Sequence, residues 1–178
     1  MIDPESYDWS RFDIVFYYDQ APEEVFRAWT TPAGLTSFFI DRATFTGPDG
    51  AERAGQETTV AGDRYRWDWR HPYWLEGDVT RVVADQELGF TFGSMQVSVH
   101  FAAVEGKTEL HLVQSGIPDS PDGRVFGHLN CRSCWIFFLT NLKSVLDTGT
   151  DLRDDDPGRV SSMEVGFASV AEGGAGFE

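Results

Sequence analysis

From Cys131 to Thr148 the chain carries a single long amphipathic helix pattern, and little before it reads as helical. At about 100° per residue, Cys131, Trp135, Phe138, Leu142, Val145 and Leu146 fall in one stripe, with Ser133, Thr140, Lys143, Ser144 and Asp147 opposite. Gly149 follows, where a left-handed residue closes a helix without a Cβ clash. A lone helix of this kind is stable only against an apolar surface, which the rest of the chain must supply. Ile136 and Phe137 fall on the otherwise polar side, so a cover is expected there, from the Met163–Val170 segment or from another subunit.

The surface is written in alternation. Phe12, Ile14, Phe16 and Tyr18 alternate with Asp13, Val15 and Tyr17, and Tyr65, Trp67 and Trp69 share one face of Arg64–Arg70. Arg42–Thr46, Leu75–Ala84, Leu88–Phe92, Met95–Val104 and Thr108–Gln114 continue as strands, with hairpin-length links between the later ones. Between the first and second strands, Ala21-Pro22-Glu23-Glu24 opens a short helix whose buried side is Val25, Phe26 and Trp29. Thr31-Pro32 starts a second through Leu35, Phe38 and Phe39. The expected architecture is α+β: a curved antiparallel sheet around a long terminal helix, enclosing a cavity.

Composition narrows the function. At 178 residues one domain is expected, with residues 1–153 as its body and 154–178 as a tail carrying a short strand at 162–170. The net charge of −15, with only Lys107 and Lys143 as lysines, argues against nucleic-acid binding. It suits either a high-salt cytoplasm or a plainly acidic protein. No run approaches the ~20 apolar residues of a membrane span. The N-terminus lacks the basic and apolar regions of a secretory signal, so a cytoplasmic location is expected.

Three separated motifs resemble one family. Ala21-Pro-Glu-Glu-Val-Phe-Arg-Ala-Trp29 with Pro32 and Leu35 is similar to the N-terminal motif of the family named after the activator of heat-shock-protein-90 ATPase. Gly62-Asp63, Trp67, Trp69 and Glu76-Gly-Asp-Val79 resemble its central strands, and Trp135 through Asn141-Leu-Lys143 to Asp151-Leu-Arg153 its last helix. The resemblance implies the helix-grip fold of the START-like, birch-allergen-like (SRPBCC) superfamily, with an apolar cavity and a stress-response connection. It also implies two rival roles: a chaperone partner, or an enzyme of the polyketide cyclase/aromatase kind.

The candidate site is the aromatic and aliphatic wall of that cavity: Trp29, Phe38, Tyr65, Trp67, Trp69, Val97, Val99, Leu110, Leu112, Trp135, Phe138 and Leu142. Rings offer flat apolar surface with N–H or O–H handles for a small hydrophobic or aromatic ligand. No catalytic residue, metal or cofactor is expected, and the protein is expected to be a monomer or homodimer. Cys131-x-x-Cys134 could gain nucleophilicity at a helix start, but it lacks the βαβ context of a redox pair and reads as structural. With His128 the two cysteines could offer three metal ligands, but no fourth closes the site. His100 and His111 read as surface or hydrogen-bonded histidines.

Overall fold

The structure, a computed structural model, describes residues 6–156 and 158–167. Seven antiparallel strands form one sheet in the order β1-β7-β6-β5-β4-β3-β2. They are β1 (Arg11–Tyr18), β2 (Arg42–Thr46), β3 (Arg64–Asp68), β4 (Trp74–Val83), β5 (Glu87–Phe92), β6 (Met95–Val104) and β7 (Lys107–Ser115). Helices α1 (Pro22–Thr30) and α2 (Pro32–Phe38) follow β1, and α3 (Cys131–Thr148) follows β7. This is the α+β helix-grip architecture expected from the patterning. Alternation does the work: Phe12, Ile14 and Tyr18 of β1, Tyr65 and Trp67 of β3, Val97 and Val99 of β6, and Leu110 and Leu112 of β7 are all buried on the face that meets the helices.

Helix α3 ends as its sequence requires, with Gly149 at φ 73° and its N–H on the Val145 carbonyl at 2.9 Å. Its start differs. A π-helical segment, Gly123–Asn130, runs directly into Cys131, so the cysteines do not occupy a free helix N-terminus. Leu139 and Asn141 join the stripe as fully buried residues, and Ile136 and Phe137 are half-buried against the core rather than facing solvent.

The tail also differs from expectation. The strand expected at 162–170 is, in its described part, a one-turn helix, α4 (Ser162–Val165), closed by Gly166. Ser161 Oγ donates to Glu164 Oε2 at 3.0 Å, a side-chain bond across the first turn. A helical turn points Glu164 and Val165 at the body together, whereas a strand would send them to opposite faces. The described contacts of this segment run to Asn130, to Arg70 and to the space beneath α3, while residues 168–170 of the cover expected over Ile136 and Phe137 lie outside the described residues.

Two polar clasps fix the ends. Asn141 Nδ2 donates to the Phe38 carbonyl at 2.8 Å and to Asp151 Oδ1 at 2.9 Å, while its Oδ1 accepts from the Leu152 N–H at 2.7 Å. Arg153 donates to the carbonyls of Ile40 at 2.9 Å and Thr36 at 2.7 Å. The second clasp closes the loop between β2 and β3. Asp63, with no exposed side-chain surface, accepts from Arg53 at 2.8 and 2.9 Å, from Thr59 Oγ1 and from the Val60 N–H.

The Arg53 guanidinium holds the Asp63 carboxyl down at about 2. A folded-state value below the ordinary 3.8 contributes stability above that value and loses it as pH falls toward 2. The expected loss is about 2 kcal/mol across that window. Denaturant titrations from pH 5 to 2 check it: Asp63→Asn should remove this acid limb, and an unchanged limb would place it elsewhere.

Candidate functional site

Beneath the first half of α3 lies a cavity of about 40 Å³. Its apolar walls are Phe39, Trp69, Tyr73, Leu75, Phe92, Trp135 and Phe138, with Cys131, Cys134 and Val165 completing them. Asn130 and Glu164 bring the polar atoms. The volume takes about three waters, against the ~150 Å³ of a cavity that admits benzene.

The aromatic walls form one continuous cluster centred on Phe39. Its ring lies 5.0 Å from Trp135, 4.9 Å from Phe138, 5.2 Å from Trp69, 5.5 Å from Trp67 and 6.2 Å from Trp29. Offset and edge contacts at these separations add to the burial of each ring. Gly77 lets this layer approach the sheet, since a Cβ there would stand 2.6 Å from the Tyr65 ring, itself stacked on Trp67 at 4.0 Å.

Of the expected wall, the structure brings Trp69, Trp135 and Phe138 to the cavity. Trp29, Phe38, Tyr65, Trp67, Val97, Val99, Leu110, Leu112 and Leu142 are instead packed solid in the core beside it. The rings that would have left a large empty grip fill it themselves.

Three residues outside the expected set shape the site. Gln114 is fully buried on β7; its Oε1 accepts from the Trp135 indole at 2.8 Å and its Nε2 donates to the Gly127 carbonyl at 3.0 Å. It fixes the plane of the Trp135 wall. By contrast, the indole N–H groups of Trp29 and Trp67 are buried with no acceptor among the described residues. Arg70, in the turn after β3, donates to Glu164 Oε1 at 3.0 Å and to the Asp154 carbonyl, and stands 3.5 Å from Asp41. Alternation along β7 places Gln114 inward with Leu110 and Leu112 but does not reveal it as the acceptor for Trp135, and it gives no sign of the partners of Arg70, whereas Ser161-x-x-Glu164 is a readable helix-start signal.

The other candidates resolve locally. Burial pushes the Cys131 thiol up to about 11 and the Cys134 thiol up to about 12, which leaves both protonated and weakly nucleophilic at neutral pH. His128 is buried away from them, with Nδ1 on the Trp9 carbonyl at 3.1 Å and Nε2 on the Tyr7 hydroxyl at 3.0 Å. The carbonyl can only accept, so Nδ1 carries the proton. Among the described residues no group of three His, Cys, Asp or Glu is placed to hold a metal ion. His100 and His111 pair across β6 and β7, and His111 bonds Asp13 at 2.8 Å at the surface. No helix among the described residues is long and apolar enough to cross a membrane.

Comparison with known proteins agrees with this architecture. Protein SSP2350 from Staphylococcus saprophyticus superposes with a TM-score of 0.62 at 21% identity, over 80% of this chain and 96% of its own. The Aha1 dimer from Colwellia psychrerythraea gives 0.62 at 18% identity, over 79% and 98%. DynU16, a protein of the dynemicin biosynthetic locus, gives 0.64 at 18% identity, over 82% of this chain and 50% of its own. No curated protein matches the sequence. The model of the Activator of Hsp90 ATPase homolog 1-like protein family matches residues 19–147, from the end of β1 to the last turn of α3, and the chain belongs to that family.

Proposed function

We propose that this chain is a cytoplasmic, non-catalytic domain that binds a small hydrophobic or aromatic molecule in the cavity under α3. In this reading residues 1–153 form the body of the domain, and the tail 154–178 adds Glu164 and Val165 to the cavity wall. The observation that carries it is the cavity itself: a space beneath α3 walled by six aromatic side chains, with Asn130 and Glu164 as polar handles. Its small volume means that a ligand larger than a few waters enters only as a wall moves. A monomer or a homodimer fits this reading, and the Colwellia neighbour is a dimer.

The chaperone-partner reading rests on the family alone. The cyclase-like reading draws on DynU16, a protein of a biosynthetic locus. It needs a free polar pair in the cavity, whereas the Glu164 carboxylate is engaged by Arg70 and Ser161.

Native mass spectrometry of freshly purified protein should find a co-purified small molecule. Calorimetry with indole or naphthol probes should show binding that Cys134→Leu, which fills the cavity, removes without loss of folding. Equal binding by that variant would move the site elsewhere, and consistently empty protein with no probe response would overturn the reading.

A further inference from the structure

One wall of the cavity is unlike the others. Phe39, Trp69, Trp135 and Phe138 are held by the sheet and the long helices, but Glu164 and Val165 belong to a four-residue helix beyond residue 147, where the family match stops. One helical turn has no stability of its own, so α4 stays in place through its contacts. It packs against α3 and is pinned by polar bonds to the body. Arg70 receives the Glu164 carboxylate and the Asp154 carbonyl, and the Phe167 N–H donates to Asn130 Oδ1 at 2.6 Å. Gly166 closes the turn at φ 57°, and a Cβ there would collide with the Asn130 side-chain amide.

The chemistry of this wall is an apolar body joined to a carboxylate. Val165 meets the rings, while Glu164, with 3% of its side chain exposed, meets Arg70, with 9% exposed. A buried guanidinium stripped of its counter-ion is costly. Among the described residues Asp41, at 3.5 Å and partly exposed, is the other carboxylate paired with Arg70. Whatever displaces α4 therefore does so at least cost when it brings an anion for Arg70 and apolar surface for the space that Val165 leaves.

We propose that the cavity takes a small apolar carboxylate, and that Glu164 with Val165 occupies that ligand's place on Arg70 in the closed state. This rests on the cavity-binding reading and names the ligand class. The chain's charge of −15 opposes an incoming anion at long range, but screening limits that effect to ~10 Å at 0.1 M salt. Arg70 is a buried positive charge that follows Trp69 in sequence and reaches the cavity lining through its bond to Glu164.

The test is calorimetry on the full chain with two probes of one shape, 2-naphthoate and the neutral 2-naphthylmethanol. Glu164→Gln should raise the naphthoate-to-naphthylmethanol affinity ratio by about tenfold, and Arg70→Met should lower it by about tenfold, as a buried charge gains or loses a counter-ion. Gly166→Ala, which lifts α4 off Asn130 while leaving Arg70 and Glu164 in the chain, should tighten binding of both probes about fivefold by removing the internal competitor. Circular dichroism checks that each variant is folded. If naphthylmethanol binds while the ratio stays constant across the folded variants, Arg70 is not the anion site and this inference fails alone. If Gly166→Ala changes neither affinity, α4 is not the occupant. If no probe binds any variant, the cavity-binding reading falls with it.

Discussion

Asn141→Ala should lower the unfolding free energy by about 3 kcal/mol and the melting temperature by roughly 6–12 °C. Asn141 is fully buried in the middle of α3 and makes three hydrogen bonds there, to the Phe38 carbonyl, to Asp151 and from the Leu152 N–H. The carbonyls of Thr36, Phe38 and Ile40 lie at the C-terminal end of α2, where a helix leaves acceptors without internal partners. Asn141 and Arg153 supply the donors. Alanine thus removes three bonds and strands the Phe38 carbonyl in a buried site, the expensive form of the loss, while the part-buried Leu152 N–H loses its acceptor. Asn141→Asp, the same shape without the donors, should be at least as damaging at neutral pH because it sets a second carboxylate beside Asp151. Chemical denaturation of the three proteins decides it, and a loss below ~1 kcal/mol for alanine would mean that α2 is held by packing alone.

This clasp also gives physical content to one of the motifs by which the family was legible. Asn141-Leu-Lys143 and Asp151-Leu-Arg153 stand apart in sequence because one side chain reaches from inside α3 while the other returns after Gly149 to the same helix end. The helix and strands were readable because each buries one face, and burial of one face leaves a period. Where the environment is not one-sided, the period misleads. Leu139 falls outside the stripe yet is fully buried, with its carbonyl accepting from the Tyr18 hydroxyl at 3.0 Å across to β1. The π-helical segment Gly123–Asn130 is bonded i to i+5, and Gly123 and Gly127 within it weaken the local helix signal. In the tail, Met163 and Val165 alternate as a strand would, but the Ser161–Glu164 side-chain bond and the Arg70 pairing decide for a helical turn.

For the candidate wall, the sequence told which residues point inward, not which of them border a cavity. Alternation says which face of a strand is inward; it does not say whether that face meets a neighbouring side chain or empty space. Val99 and Leu112 sit opposite each other on β6 and β7, inward as expected, and both are sealed by core packing. Trp69 stands just past the end of β3, where the sheet no longer covers it, and therefore reaches the cavity. The Arg70–Glu164 pair spans most of the chain, and nothing local in the sequence announces it.

Phe39 is the side chain on which the cavity's size turns. Phe39→Ala should cost about 3–5 kcal/mol, the range for removing a buried phenylalanine ring. The position within that range depends on whether the surrounding rings collapse into the space. They have little freedom to do so: Trp135 is fixed by Gln114 at 2.8 Å, and Trp67 is stacked on Tyr65 at 4.0 Å. The variant should therefore keep most of the hole open and join it to the existing cavity, since Phe39 lines that cavity directly. The enlarged space would be bordered by Trp29 and Trp67, whose buried indole N–H groups have no acceptor among the described residues. An apolar guest with an acceptor oxygen, such as 2-naphthol, should then bind the variant and restore about 2.7 kcal/mol of stability at a hundredfold excess over its Kd. The wild-type chain should show a far smaller shift with the same compound. Thermal unfolding of both proteins with and without 2-naphthol measures it: a destabilised variant that the compound does not rescue would mean that the rings close over the gap, and that the cavity cannot be enlarged from the Phe39 side.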